Sequence, residues 1–435
     1  MDALTTAEYS QSGLMRKLPA LLRILGAAAL VVAMYSFLVR GWQSGNDVSR
    51  YLMMLGHTGL LAAIGLASGH WLKEGKGARL LLTLSLVSIP ANFAILGAFI
   101  YSQTTAIDVT HYPQYVAWAV DSLPTALLTT GGALLVLLPV ILLGFTVLAR
   151  GLAYRLSALF VLGNLTLLLP LREPQSIAIV VSLLTLGVLW FNRRVAHNQT
   201  SVKTHEGMTA LGLQILPIAV LLGRTLWLYA FDLFLATVLA VTLFFTLRQI
   251  SLYLKPGSTL RNLLDLLSLA PALSLLSLFS DALQQTGVIA EAWVYPISTL
   301  ASALLIYDLS QRNERYAGLY LRLALFILLA GMIGNLFWFP GVLAAMACVS
   351  VGGALTAYGY QVQKLSLFAS GVVLFLAGLI HQFIDLIRHF DLGSWASLAV
   401  FGMVSIVFAS VLESQSGKIR LRFEAWRVRM QAWKK

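Results

Sequence analysis

The sequence predicts an all-α fold: a polytopic transmembrane helical bundle of about 14 spans, both termini cytoplasmic, closed by a C-terminal amphipathic interfacial helix. Three observations predict it. Fourteen apolar stretches of membrane-spanning length follow one another through 435 residues. The positive charges sit almost entirely in every second gap between those stretches. The central thirds of the stretches carry almost no ionisable side chain, as the cost of burying charge in hydrocarbon demands.

A bilayer core of about 30 Å needs roughly 20 apolar residues in helical form, and a spanning backbone must satisfy its hydrogen bonds within its own segment. On that basis the first seven spans fall at 18–39, 51–72, 80–101, 124–148, 152–171, 176–191 and 208–223. The second seven fall at 231–247, 260–279, 293–309, 316–337, 339–358, 365–381 and 394–412. Connections inside 152–191 and 316–358 are short enough to make one member of each pair a half-span candidate. The chain thus reads as a cytoplasmic tail (1–17), one transmembrane domain (18–412, with halves at 18–223 and 231–412) and a basic cytoplasmic helix (413–435). Two halves of seven spans would carry opposite orientations, as inverted-repeat transporters do, although the halves show no residue-level match. No small-residue cleavage site follows the first apolar run, so the first span reads as a retained signal anchor.

Lys and Arg are retained on the cytoplasmic side of short loops. With the N-terminus inside, only Arg40, Arg50, Arg172, Arg224 and Arg388 of the 30 lie in outer gaps, and the other 25 belong to inner segments, Arg23, Arg155, Arg261 and Arg322 within the cytoplasmic ends of spans. A wrong span count would scramble that alternation at the point of error. The net charge of +12 is therefore a topology signal, and it gives no reason to invoke nucleic acid. The single cysteine, Cys348, lies within a span, and one cysteine forms no intrachain disulfide.

From 417 to 435, Ile419, Phe423, Trp426, Met430 and Trp433 recur at helical spacing as one apolar stripe. Lys418, Arg420, Arg422, Arg427, Arg429 and Lys434 flank it. Such a helix lies in the interface, with its aromatics at the acyl boundary and its cations reaching anionic headgroups. The lipid bilayer is accordingly the expected partner, with a membrane protein as a further one.

Function in such a chain shows itself as polarity inside the membrane. Asn92, two residues after Pro90, is the first deep polar side chain, joined by Asn164 and Gln214; interhelical hydrogen bonding accounts for such amides as readily as substrate contact does. His381, Asp385, Arg388 and His389 share one side of a helix running past the thirteenth span, where an imidazole one turn from a carboxylate can relay a proton or hold a cation. His57 lies within a few turns of the outer end of the second span, and Arg224 and Asp232 lie at outer helix ends. Asp232 and Asp308 lie at the very ends of spans, and Asp265, about one turn inside the ninth, is the most deeply placed carboxylate; Arg261 stands four residues before it, and Asp308 with Arg312 repeats that spacing, so both read as interface ion pairs.

Pro90, Pro139, Pro217 and Pro271 fall inside spans and predict kinks. Gly131, Gly132, Gly352, Gly353 and the run from Gly371 to Gly378 predict close helix contacts. No Walker loop, metal-ligand cluster, nucleophile elbow or dinucleotide fingerprint is present, so no cofactor is expected. The only outer segment long enough for a small site holds Asp108, His111, Tyr112, Tyr115, Trp118 and Asp121, residues that an aromatic interfacial belt also explains.

Between the second and third spans, GHWLKEGKGAR resembles the glycine, Asp-Arg, glycine, basic loop of major facilitator transporters, with Gly69 at the first glycine but Lys73 and Glu74 where that family has Asp and Arg. The stretch from Pro340 to Leu386, with its Pro-Gly entry, Ala/Leu-rich span, short polar turn and second Leu-rich span, resembles the C-terminal unit of uncharacterised polytopic bacterial membrane proteins classed as domains of unknown function. That resemblance implies a bacterial cytoplasmic (inner) membrane location and supplies no catalytic residue. Span number, kinks and deep amides favour a transporter or permease for a neutral or lipidic substrate. A structural or assembly subunit of a membrane complex is the alternative, and a membrane enzyme with an outer-face site comes third.

Overall fold

The computed structural model describes residues 18, 21–34, 36, 46–71, 73, 75–104, 117–196, 199, 202, 204–228, 232–339, 341–389, 403 and 406. The N-terminal tail, most of the fourteenth expected span and the basic C-terminal helix lie outside the described residues. Those described contain helices and no strand. In order they are α1 (Leu21–Met34), α2 (Asp47–Trp71), α3 (Gly75–Thr104), α4 (Leu123–Leu148), α5 (Ala153–Leu168), α6 (Pro174–Phe191), α7 (His205–Leu213) and α8 (Leu216–Leu228). They continue as α9 (Leu233–Tyr253), α10 (Thr259–Leu267), α11 (Leu269–Thr286), α12 (Glu291–Arg312), α13 (Ala317–Trp338), α14 (Val342–Val362) and α15 (Leu365–His389).

Twelve helical segments among the described residues are long and apolar enough to cross a membrane, and they coincide one for one with the second to thirteenth expected spans. The described part of the first span, α1, is shorter than a full crossing. Both members of each short-connected pair reach crossing length, Arg150–Leu168 with Pro174–Arg194 and Ala317–Trp338 with Val342–Val362. Two crossings are interrupted: α7 stops at Leu213 and α10 at Leu267, each four residues before a proline, Pro217 and Pro271. The proline ring displaces the carbonyl at position i−4 and removes its hydrogen bond, so each break falls where the chemistry puts it. Pro90 and Pro139 are instead carried inside continuous helices.

Local sequence sets the helix starts. Asn46 Oδ1 accepts from Val48 N at 3.0 Å, Ser122 Oγ from Thr125 N at 3.4 Å, Thr204 Oγ1 from Gly207 N at 3.1 Å and Ser258 Oγ from Arg261 N at 3.3 Å. Each satisfies one of the first-turn amides that a helix leaves open. Gly287 ends α11 with φ +62°, a conformation a glycine adopts without strain.

The chain divides into two compact units, residues 1–235 and 236–435. In the first, α3 is the central element, packed by α2, α4, α5 and α8. Asp47 Oδ2 accepts from Ala119 N at 2.9 Å, Arg50 lies over the Trp118 ring and Arg172 over the Tyr101 ring, which gathers these helix ends together. Arg79 pairs with Glu206 and so joins the starts of α3 and α7 at the opposite, basic end.

In the second unit α14 and α15 form a hairpin whose axes approach through glycines. A Cβ on Gly352 or Gly359 would lie 2.4 Å from the backbone nitrogen of Phe375 or Phe368, and one on Gly371 would lie 2.4 Å from Thr356 N. A Cβ on Gly131 or Gly132 would meet no atom of another element within 4 Å among the described residues, and one on Gly353 only a Phe375 ring carbon at 3.8 Å, so these three do not serve the close packing expected of them. Replacing Gly371 with leucine is expected to separate α14 from α15 and destabilise the protein by about 1–3 kcal/mol or more. Leucine at Gly131 should leave thermal unfolding in detergent unchanged, so equal losses at the two positions would contradict this packing.

Candidate functional site

The first unit holds a buried polar level. Thr58 of α2 and Ser88 and Asn92 of α3 are all inaccessible to solvent. Asn92 Nδ2 donates to Thr58 Oγ1 at 3.0 Å and to Ser88 O at 2.9 Å, while Ser85 Oγ donates to Thr58 O at 3.1 Å. These bonds use both N–H groups of the amide, and Asn92 Oδ1 is buried without a partner among the described residues. Turning the amide over would set its oxygen against the Ser88 carbonyl, so the orientation is determined by its neighbours. On α5, Asn164 repeats the arrangement: Nδ2 donates to Phe160 O at 2.7 Å and Oδ1 is orphaned.

Register places the two amides at one depth. α3 and α4 are antiparallel neighbours, as are α4 and α5, so α3 and α5 run the same way. They touch where a Cβ on Gly97 would lie 2.0 Å from Leu167 O. Asn92 is five residues below that contact and Asn164 three, so at 1.5 Å per residue they differ in depth by about 3 Å. Among the described residues, two carbonyl oxygens on adjacent helices therefore lack donors at the same level, each at a cost of about 1–3 kcal/mol.

Gln214 does not join them. It sits at the break between α7 and α8 and donates from Nε2 to Leu156 O at 3.3 Å, with Oε1 also orphaned. Leu156 is eight residues below Asn164, which puts Gln214 about 12 Å nearer the basic end. His57 shares the depth of its neighbour Thr58 but occupies the next position around α2, and it is half-buried.

Above the amide level lies an aromatic and arginine layer. Tyr51 and Phe99 are each seven residues, about 10 Å, nearer the Asp47 end than Thr58 and Asn92. Their rings meet edge to face at 5.8 Å, and Phe99 meets Trp118 at 6.2 Å. Arg50 stacks over Trp118 at 4.0 Å and Arg172 over Tyr101 at 4.3 Å, both guanidiniums being buried. Cation–π contacts strengthen when desolvated, so the layer is a cohesive cap. Of the long outer segment only its end, including Trp118 and Asp121, is described; Asp108, His111, Tyr112 and Tyr115 lie outside the described residues.

The second unit carries an ionic network at its basic end. Asp265 is 0 % exposed and accepts from Ser251 Oγ at 2.8 Å and Asn313 Nδ2 at 2.9 Å. Its arginine is Arg312, with Nη1 at 3.6 Å; Arg261, the partner expected from spacing, instead donates to the Arg312 carbonyl at 3.0 Å. Asp308 pairs with Arg312 as expected, at 2.9 Å, and also receives Arg248 through two bonds of 3.0 and 3.2 Å. At the other end of this unit Asn335 is fully buried, donates to Ala292 O at 2.9 Å and leaves Oδ1 orphaned.

His381 and Asp385 lie one turn apart on α15, both half-buried, and His381 Nε2 is buried without a hydrogen-bond partner among the described residues. The side chains of Arg388 and His389 are not described. Arg224 donates to Leu167 O at 3.3 Å, and Asp232 Oδ1 accepts from Phe234 N to start α9; both tie down helix ends. Cys348 is buried and donates to Met332 O. The interfacial residues Lys418, Arg420, Arg422, Trp426, Arg427, Arg429 and Trp433 lie outside the described residues. Among the described residues no group of three His, Cys, Asp or Glu is placed to hold a metal ion.

Twelve apolar crossings with polar groups confined to a few buried levels define a multi-pass helical membrane protein. No family model, curated protein or solved structure matches the chain.

Proposed function

We propose that this protein is a permease of a bacterial inner membrane that carries a neutral or lipidic substrate through its first unit, with the Asn92 and Asn164 level as the binding step. One observation carries the reading: two orphaned amide oxygens, uncharged and buried, stand at one depth on neighbouring helices. Carbonyl oxygens without donors suit a substrate presenting hydroxyl or amide N–H groups and offer nothing to an anionic cargo. The Tyr51, Phe99 and Trp118 layer, held by Arg50 and Arg172, then closes the path towards the outer face. The positive-inside assignment directs the basic ends to the cytosol, and the basic helix at 413–435 docks on anionic headgroups there.

The test uses a Cys348→Ser background with single cysteines at Asn92 and Asn164 and at Leu128 and Leu135, which face away from the protein interior at 77 % and 79 % exposure. A membrane-impermeant thiol reagent is expected to modify the first two and not the others, and Trp118→Ala should speed that modification from the outer face. If positions 92 and 164 resist the reagent in every variant, the unit has no aqueous path, and a structural subunit of a membrane complex is the better reading.

A further inference from the structure

At the basic end of the second unit, the turn between α9 and α10 faces the end of α12 across a cavity of about 290 Å³. Pro256, Gly257, Arg261, Asn262, Arg312, Asn313, Glu314 and Arg315 line it, so three arginines oppose one glutamate. We propose that this cavity binds a phosphate group, either of an anionic lipid headgroup or of a soluble phosphorylated molecule.

Two observations point to a ligand. The Arg312 side chain is only 5 % exposed, and none of its N–H groups is aligned in a hydrogen bond. Its Nε and Nη1 face Asp308 and Asp265 as ion pairs and the guanidinium lies over the Phe244 ring at 5.6 Å, while Nη2 has no hydrogen-bond partner among the described residues. A buried guanidinium with unused donors is costly unless a further acceptor reaches it. The second observation is the scaffold. Asp265 and Asn313 are locked together at 2.9 Å, Asn313 Nδ2 also donates to Asn262 Oδ1 at 3.0 Å, and Arg261 is tied to the Arg312 carbonyl. The cationic wall is thereby held in place before any ligand arrives, which lowers the cost of binding. Planar guanidiniums match phosphate oxygens two at a time, which selects phosphate over monovalent halide. The cavity's volume, near the lower limit of about 300–1,000 Å³ for small-molecule sites, suits a phosphate with its first ester substituent. This site is independent of the amide level in the first unit.

The experiment uses the full-length protein in a zwitterionic detergent. Thermal unfolding is followed against inorganic phosphate, with potassium acetate at matched ionic strength as the control. In parallel, the protein is reconstituted with phosphatidylglycerol or phosphatidylcholine and its retained lipids are counted by native mass spectrometry. Stabilisation by phosphate without retained phosphatidylglycerol assigns the site to a soluble ligand; retained phosphatidylglycerol assigns it to a headgroup. Arg315→Gln should weaken either response about tenfold, the loss expected for one charge-assisted hydrogen bond. Glu314→Gln should strengthen it, a direction that loss of folding cannot imitate. Absence of both responses in the wild type, or equal responses in the wild type, Arg315→Gln and Glu314→Gln, would overturn the proposal.

Discussion

Replacing Asp265 with alanine is expected to destabilise the protein by about 3–5 kcal/mol, the cost of leaving a buried charge without its partner. Asp265 is inaccessible to solvent and joins three elements at once: Ser251 near the end of α9, its own helix α10, and Arg312 and Asn313 at the end of α12. Its removal strands two donors, from Ser251 and Asn313, and takes away one of the two carboxylates facing Arg312. The other, Asp308, is already shared with Arg248. Combining Asp265→Leu with Arg312→Met should restore much of the loss, because an apolar pair of similar volume has no charge to desolvate. Thermal or denaturant unfolding in detergent measures both variants. A single mutant within about 1 kcal/mol of the wild type would mean that the pair behaves like a solvated surface bridge.

Placing a single methyl group on Gly97 is expected to cost about 1–3 kcal/mol or more through overpacking. It should also abolish the reactivity proposed for cysteines at positions 92 and 164. The new Cβ would lie 2.0 Å from Leu167 O and 3.2 Å from Leu168 Cα. These are backbone atoms of α5 and have no rotamer through which to retreat, so α3 and α5 must separate or slide. Either movement changes the register that brings Asn92 and Asn164 to one depth. Gly131→Ala adds the same methyl group where no atom lies within 4 Å and should change neither unfolding nor labelling. A Gly97→Ala protein with wild-type stability would show that the two helices do not meet as closely as described.

The twelve central crossings were legible because the bilayer length requirement and the apolar composition act on each segment separately. The helix breaks were legible in part. Pro217 and Pro271 end helices four residues upstream, but Pro90 and Pro139 have the same sequence appearance and are absorbed, since the neighbours that re-satisfy a freed carbonyl come from other helices. Pairing by i, i+4 spacing succeeded for Asp308 with Arg312 and failed for Asp265 with Arg261. Asp265 has a second helix beside it carrying Arg312, and spacing along one helix carries no information about that. Asn335 is a lone amide in an apolar run, as Asn164 is, but it lies near a span end, where polar residues are ordinary and burial is not legible. Arg50 and Arg172 read as outer loop charges, yet both are buried and stacked on aromatic rings. His57 belongs to the first unit, and His381 and Asp385 to the second.

The sequence by itself determined that this chain is a membrane-embedded run of helices and where each central helix lies, because hydrophobic length and helix punctuation are local properties. Only the tertiary structure decided which glycines are contact points, which carboxylate faces which arginine, and that Asn92 and Asn164, 72 positions apart in the sequence, stand at one depth while Gln214 does not. Those facts depend on the rotation and register of one helix against another. Both are set by packing to within a fraction of a residue's rise, and apolar side chains in a lipid-embedded run repeat too uniformly along the chain to encode them.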